Sequence, residues 1–129
     1  MRRWVWIELR DVLLFHARLH ALHGGTAGVR DEGLLESALA RPQQRVAYGD
    51  KVDACELAAN YTAGIVRNHP FVDGNKRVGF LIGILFLELN GRRFIASEAE
   101  AAKAVIELAG GTISESEYAA FLRDNTAKA

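Results

Sequence analysis

The run His69-Pro70-Phe71-Val72-Asp73-Gly74-Asn75-Lys76-Arg77 brings together a base, a carboxylate, a turn and two cations. The imidazole of His69 can take a proton from a hydroxyl, while Asp73 is a hard oxygen ligand suited to magnesium. Gly74 and Asn75 suit a turn, after which Lys76 and Arg77 open a helix. The first amides of a helix lack intrahelical acceptors, and its dipole attracts an anion. Lys76 would add a compact charge there and Arg77 a planar fork, which together can neutralise charge building on a transferring phosphoryl group. Cations in a first helical turn oppose the dipole, so this pair costs stability unless an anion compensates. The alternative is purely structural: His69 as a helix cap, Asp73-Gly74 as an ordinary turn, Lys76 and Arg77 as solvated charges. The nucleotide-binding run G-x-x-x-x-G-K-[ST] does not occur in the sequence.

Such a loop needs a scaffold, and the bulk composition allows one. The whole chain, 1–129, is expected to form one domain able to bury about two-thirds of its unfolded surface. Sixteen basic and sixteen acidic residues cancel, so no overall field draws nucleic acid or an anionic membrane, and neither is expected as a partner. The single Cys55 cannot form an internal disulfide. The start, Met1 to Trp6, meets Glu8, Arg10 and Asp11 before a signal-peptide apolar region can form, so a cytoplasmic location is expected. Val78 to Leu87 carries no charge but is shorter than the roughly twenty residues of a membrane span. It reads as a buried helix in which Gly79 and Gly83 let another helix approach closely.

Apolar spacing is helical almost throughout. Val12, Phe15, Leu19 and Leu22 mark a first helix ending at Gly24-Gly25. Asp31 and Glu32 precede a second, which Pro42 is expected to stop near Arg41. Residues 42–50 then read as a loop or small hairpin, a possible flap. Ala54, Leu57, Ala58, Tyr61 and Ile65 mark a third helix ending near Asn68, because Pro70 disfavours a helical His69. A fourth runs from about Asn75 to Asn90, apolar on nearly every face and therefore central. Ser97 with Glu100 and Ser114 with Glu117 are capping boxes for two more, and the tail from Asp124 is expected to fray. The class is all-α, with about six helices.

The motif from His69 to Arg77 resembles the signature of the Fic/Doc superfamily, in its Doc (death-on-curing) branch. Fic AMP-transferases carry a glycine where Lys76 stands and a further arginine three residues after the one matching Arg77; here that later position is Phe80. Gly28 to Pro42 resembles the upstream helix of Doc-like toxins, and Phe86 to Gly91 the end of their central helix. The resemblance covers most of Gly24 to Phe94. It implies the Fic fold and a toxin of a toxin-antitoxin pair that transfers the γ-phosphoryl of ATP to a protein hydroxyl, elongation factor Tu being the family's known target. By position it implies His69 as the base, Asp73 as the Mg2+ ligand, Gly74 as the turn, and Asn75, Lys76 and Arg77 as phosphate contacts. It further implies a cognate antitoxin whose disordered segment folds onto the toxin. Residues 42–50 fall where family members carry a flap that aligns the target peptide, with Val46 and Tyr48 as candidate docking residues beside the ordinary-loop alternative. An AMP-transferase and a non-catalytic nucleotide-binding module are the rival functions.

Three lesser features complete the reading. His16, His20 and His23 share a helix face but have no cysteine or carboxylate to complete a metal set, and they suit a helix C-terminus. Trp4 and Trp6 are expected to be packed. Arg67, two residues before His69, either reaches the phosphate site or serves the end of its own helix.

Overall fold

The computed structural model describes residues 3–25 and 28–129, so Met1 and Arg2 of the start read above lie outside the described residues. The described chain forms α1 (Leu9–His23), α2 (Glu32–Ala47), α3 (Ala54–Asn68), α4 (Asn75–Leu89), β1 (Arg92–Phe94), α5 (Glu98–Gly110), α6 (Glu115–Asp124) and β2 (Thr126–Lys128). This is the all-α architecture expected from the periodicity. Helix starts are set by side-chain caps: Asp31 accepts from the Leu34 amide, Asp53 from Glu56, Ser97 from Glu100 and Ser114 from Glu117. Each such cap stabilises its helix by about 1 kcal/mol. Among the described residues no helix is long and apolar enough to cross a membrane.

The centre is shared by α3 and α4. Every residue of α3 from Leu57 to Val66 is buried, with α2, α4, α5 and α6 packed around it. α4 meets it through Gly79 and Gly83. A Cβ at Gly79 would lie 3.2 Å from the Thr62 carbonyl oxygen, and one at Gly83 would collide with the Thr62 hydroxyl. That hydroxyl instead donates to the Gly79 carbonyl at 2.8 Å. The two glycines therefore do what their spacing implied, letting two backbones approach. Upstream of α1, Trp4 and Trp6 each stack on Phe86 with ring centroids 5.9 Å apart, and Val5 exchanges hydrogen bonds with the Asn90 amide.

Two expectations are corrected. α2 does not stop at Arg41 but runs through Pro42 to Ala47, so residues 42–50 form no hairpin. Proline removes one intrahelical bond, yet the apolar stripe Leu35, Ala38, Leu39, Pro42 and Val46 continues past it against the core. Burial of that face outweighs the missing bond. The tail also does not fray: β2 pairs antiparallel with β1, Arg92 opposite Lys128 and Phe94 opposite Thr126. Three-residue strands carry too little alternation to be read from sequence.

Candidate active site

His69 owes its place to the way α3 ends. Pro70 excludes a helical conformation before it, and His69 adopts φ 52° and ψ 54°, the left-handed region, while its amide still bonds the Ile65 carbonyl at 3.0 Å. It is the one non-glycine residue with positive φ among the described residues. Its side chain is exposed toward a cavity. Its main chain is gripped from the segment just before α2: Arg30 donates from Nε to the His69 carbonyl and from Nη2 to that of Asn68. The amides of Arg30 and Asp31 both reach the Pro70 carbonyl, Val72 donates to Gly28, and Val29 pairs with Phe71. Asn68 in turn donates to the Leu34 carbonyl at 2.9 Å.

The loop from Pro70 to Gly74 is held by two side chains beneath it. Asn75 is buried and closes a ring with Phe71, accepting from its amide and donating to its carbonyl, each at 3.0 Å. Its side-chain oxygen and nitrogen are thus both engaged with Phe71, and its main-chain amide is what it can offer an anion. His16, in α1, lies flat against Phe71 and reaches the Asp73 carbonyl. Gly74 takes φ 82°, which lets α4 begin immediately. The Asp73 carboxylate is exposed, with Oδ1 accepting the Gly74 amide at 2.8 Å. Gly25 passes so near that a Cβ there would stand 2.5 Å from Asp73 Oδ2.

Beyond the turn, the amides of Asn75, Lys76 and Arg77 form the first turn of α4 and have no intrahelical acceptor. No acidic residue lies in that turn, and among the described residues neither Lys76 nor Arg77 makes an ion pair. Both are exposed. His69, Asp73, Gly74, Asn75, Lys76 and Arg77 all line a single cavity of about 500 Å³, with Leu19, Val66, Val78 and Ala109 as its apolar part. Its opposite wall is the end of α1, so His16, His20 and His23 face the same space and all four histidines of the chain share it. Phe80 turns away and packs edge-on against Phe94 at 5.6 Å.

The remaining candidates fall elsewhere. Val46 lies on the core side of α2, and Tyr48, its C-cap, is 85 % exposed; neither lines the cavity, and residues 42–47 are helical where a loop or small hairpin was expected. The extended segment that pairs with the His69 loop is instead Gly28–Asp31. Arg67 points away and bonds Glu115 at 3.2 Å, beside Arg41 and Asn60. Among the described residues no three His, Cys, Asp or Glu side chains converge on one position. Sequence reasoning did not assign Arg30, His16 or Gly25 to the site. Their contacts join α1 and α2 to a loop some forty to sixty residues later, a relation with no local pattern; only the glycine pair at 24–25 carried a visible signal.

A family model described as the Fic/DOC family matches residues 6–87. "Protein kinase doc" of Escherichia phage P1 is 35 % identical over 117 residues, spanning 91 % of this chain and 92 % of that protein. "Toxin Doc" of Mycolicibacterium smegmatis is 46 % identical over 77 residues, 57 % of each chain.

Proposed function

This chain belongs to the Fic/DOC family, and from that premise we propose that it is a toxin of the Doc type, an ATP-dependent transferase that moves the γ-phosphoryl group to a hydroxyl of a protein. One observation carries this reading: two exposed cations, Lys76 and Arg77, stand uncompensated in the first turn of α4 and share a cavity with His69 and Asp73. A protein does not gain stability from that arrangement, because the helix dipole opposes it. An incoming polyphosphate removes the conflict.

The chemistry follows from the placement. The phosphates of ATP take the open amides of Asn75, Lys76 and Arg77 and the two side-chain charges. His69 accepts the proton of the attacking hydroxyl as its oxygen bonds to the γ-phosphorus. The bond from that phosphorus to the bridging oxygen breaks, and the negative charge left on ADP is met by Lys76, Arg77 and the helix terminus. Asp73 fits a magnesium ligand, since its carboxylate is exposed and Oδ2 makes no hydrogen bond among the described residues. Magnesium typically takes one or two carboxylates alongside substrate phosphates, and what it supplies when bound is neutralisation of phosphate charge.

Phosphoryl transfer is favoured over AMP transfer by Lys76 and Phe80. Lys76 occupies the anion site, and the position at which AMP-transferases keep an arginine is filled by an aromatic ring packed on Phe94. The target we propose is elongation factor Tu, with arrest of translation in the cytoplasm as the result and a cognate antitoxin as the restraining partner. The test is incubation of the chain with elongation factor Tu, Mg2+ and γ-labelled ATP beside an α-labelled control. Label from the γ position, lost in His69→Ala, is expected; label from the α position alone would replace this reading by AMP transfer.

A further inference from the structure

Beneath the loop, the proposed chemistry leaves one buried titratable side chain without a task. His16, in the middle of α1, is 8 % exposed. Its ring lies parallel to that of Phe71, with centroids 4.0 Å apart and planes at 7°. Its Nε2 is 3.0 Å from the carbonyl oxygen of Asp73. A carbonyl oxygen only accepts, so Nε2 carries the hydrogen and donates. A Cβ on Gly74 would meet the same ring at 4.0 Å, so His16 touches the loop at Phe71, at Asp73 and beside Gly74.

These contacts converge on one peptide group. The oxygen that His16 holds and the amide that Asp73 Oδ1 binds belong to the same unit, the Asp73–Gly74 peptide. The carboxylate is therefore tied to a plane, and the orientation of that plane is set from α1. Without the imidazole, the plane would be free to rotate about the flexible Gly74 side, and the carboxylate would move with it. Gly25 passes beside Oδ2, and its lack of a Cβ is what leaves that oxygen room.

We propose that His16 is a positioning residue: by donating to the Asp73 carbonyl it fixes the direction in which the Asp73 carboxylate is presented to the cavity. Its consequence for turnover rests on the phosphoryl-transfer reading above, whereas its effect on the loop does not. Outer groups that orient a metal-binding carboxylate typically change affinity or activity by about 10–100-fold when removed.

The experiment compares His16→Leu, His16→Asn and His16→Gln in the full chain. The amide of Gln reaches the place of Nε2 and that of Asn does not, and all three are checked for native far-ultraviolet dichroism. The first readout is the Gly74 amide in a proton–nitrogen NMR spectrum, together with its hydrogen-exchange rate. It is expected to shift and exchange faster in the Leu and Asn variants and to return toward native in Gln. The second readout is the Mg2+ concentration for half-maximal γ-phosphoryl transfer, expected to rise about 10–100-fold in Leu and Asn and to recover in Gln, with KM for the protein target unchanged. A native Gly74 amide in His16→Leu and His16→Asn would overturn the proposal. So would Gln behaving like Asn, or a rate loss with the amide unmoved, which would give His16 a direct part in the chemistry. If the native chain transfers no phosphoryl group at all, the proposed function falls, and the Gly74 amide still decides the role of His16.

Discussion

Arg30 holds the main chain of His69: its Nε donates to the His69 carbonyl at 2.7 Å while its Nη2 donates to the Asn68 carbonyl at 2.9 Å. A planar fork spans two successive carbonyls in a way that an ammonium does not. The residue so gripped is the one whose backbone leaves the helix in the left-handed region, and in the proposed reaction its ring must meet a hydroxyl with fixed geometry. A guanidinium from the segment just before α2 thus sets where His69, the proposed base, stands.

Arg30→Ala is expected to lower the transfer rate by about 10–100-fold, the scale associated with misplacing a reacting group by an ångström. The cost in stability should be small, about 1 kcal/mol, because the freed carbonyls can turn to water. Arg30→Lys should recover little of the rate. Urea denaturation beside a labelled-ATP assay measures both; native turnover in Arg30→Ala would show that the helix end orients His69 unaided.

The left-handed backbone at His69 predicts a conflict between stability and chemistry. His69→Gly and His69→Ala both lose the base and should both be inactive. The glycine variant should be the more stable of the two by about 1 kcal/mol, since only alanine keeps a Cβ in that conformation. Equal urea midpoints for the pair would mean that the end of α3 relaxes when the imidazole is removed and holds no strain.

Much of this site was legible because its parts are contiguous. His69 to Arg77 declares a helix end, a turn and a helix start by residue type alone, and the cavity gathers six of those residues. Helix positions were legible for the same reason, from apolar spacing and from caps such as Ser114 with Glu117. What the sequence hid was contact at a distance. Arg30 and His16 reach the loop from elements far away in sequence, and His16, grouped with His20 and His23, reads as one of the histidines that suit a helix C-terminus. Pro42 misled because local preference argues for a break, while the energy that decides the matter comes from burying Leu35, Ala38, Leu39 and Val46 along the same face. The hairpin expected at residues 42–50 failed in consequence, and the segment that pairs with the loop, Gly28–Asp31, has too few residues to announce an extended strand.

Lys76 and Arg77 should oppose stability in the unliganded protein. Replacing either by Gln is expected to stabilise the fold by about 0.3–1 kcal/mol at low ionic strength, because the positive end of the α4 dipole loses a like charge. The gain should shrink in high salt. Nucleotide binding and transfer should be lost at the same time. Urea midpoints at two salt concentrations, set beside calorimetric ATP binding, test the pair of claims; destabilisation by both Gln variants would show that these side chains serve the fold and not an anion.

Asp53 offers a control remote from the chemistry, where the acid sensitivity of the fold has a nameable source. It caps α3 by accepting the Glu56 amide at 2.8 Å, and its other oxygen accepts from Arg123 Nε on α6 at 2.8 Å. Burial alone would push its carboxyl up, but the Arg123 hydrogen bond, the Glu56 amide, the Arg123 charge and the Cys55 amide together hold it below the ordinary 3.8. A carboxyl lowered by folding contributes its stabilisation in full above that ordinary value, and the contribution fades as the pH falls through the folded-state pKa. Asp53→Asn keeps a competent cap and loses only a half-exposed ion pair, so at pH 7 it should cost less than about 1 kcal/mol. Asp53→Ala loses the cap as well and should cost about 1 kcal/mol more. As the pH drops below 3.8, the native and Asn curves of stability against pH should converge, while transfer at pH 7 stays native because Asp53 does not line the cavity. Curves that remain parallel down to strong acid would place the acid-sensitive interaction at another carboxylate.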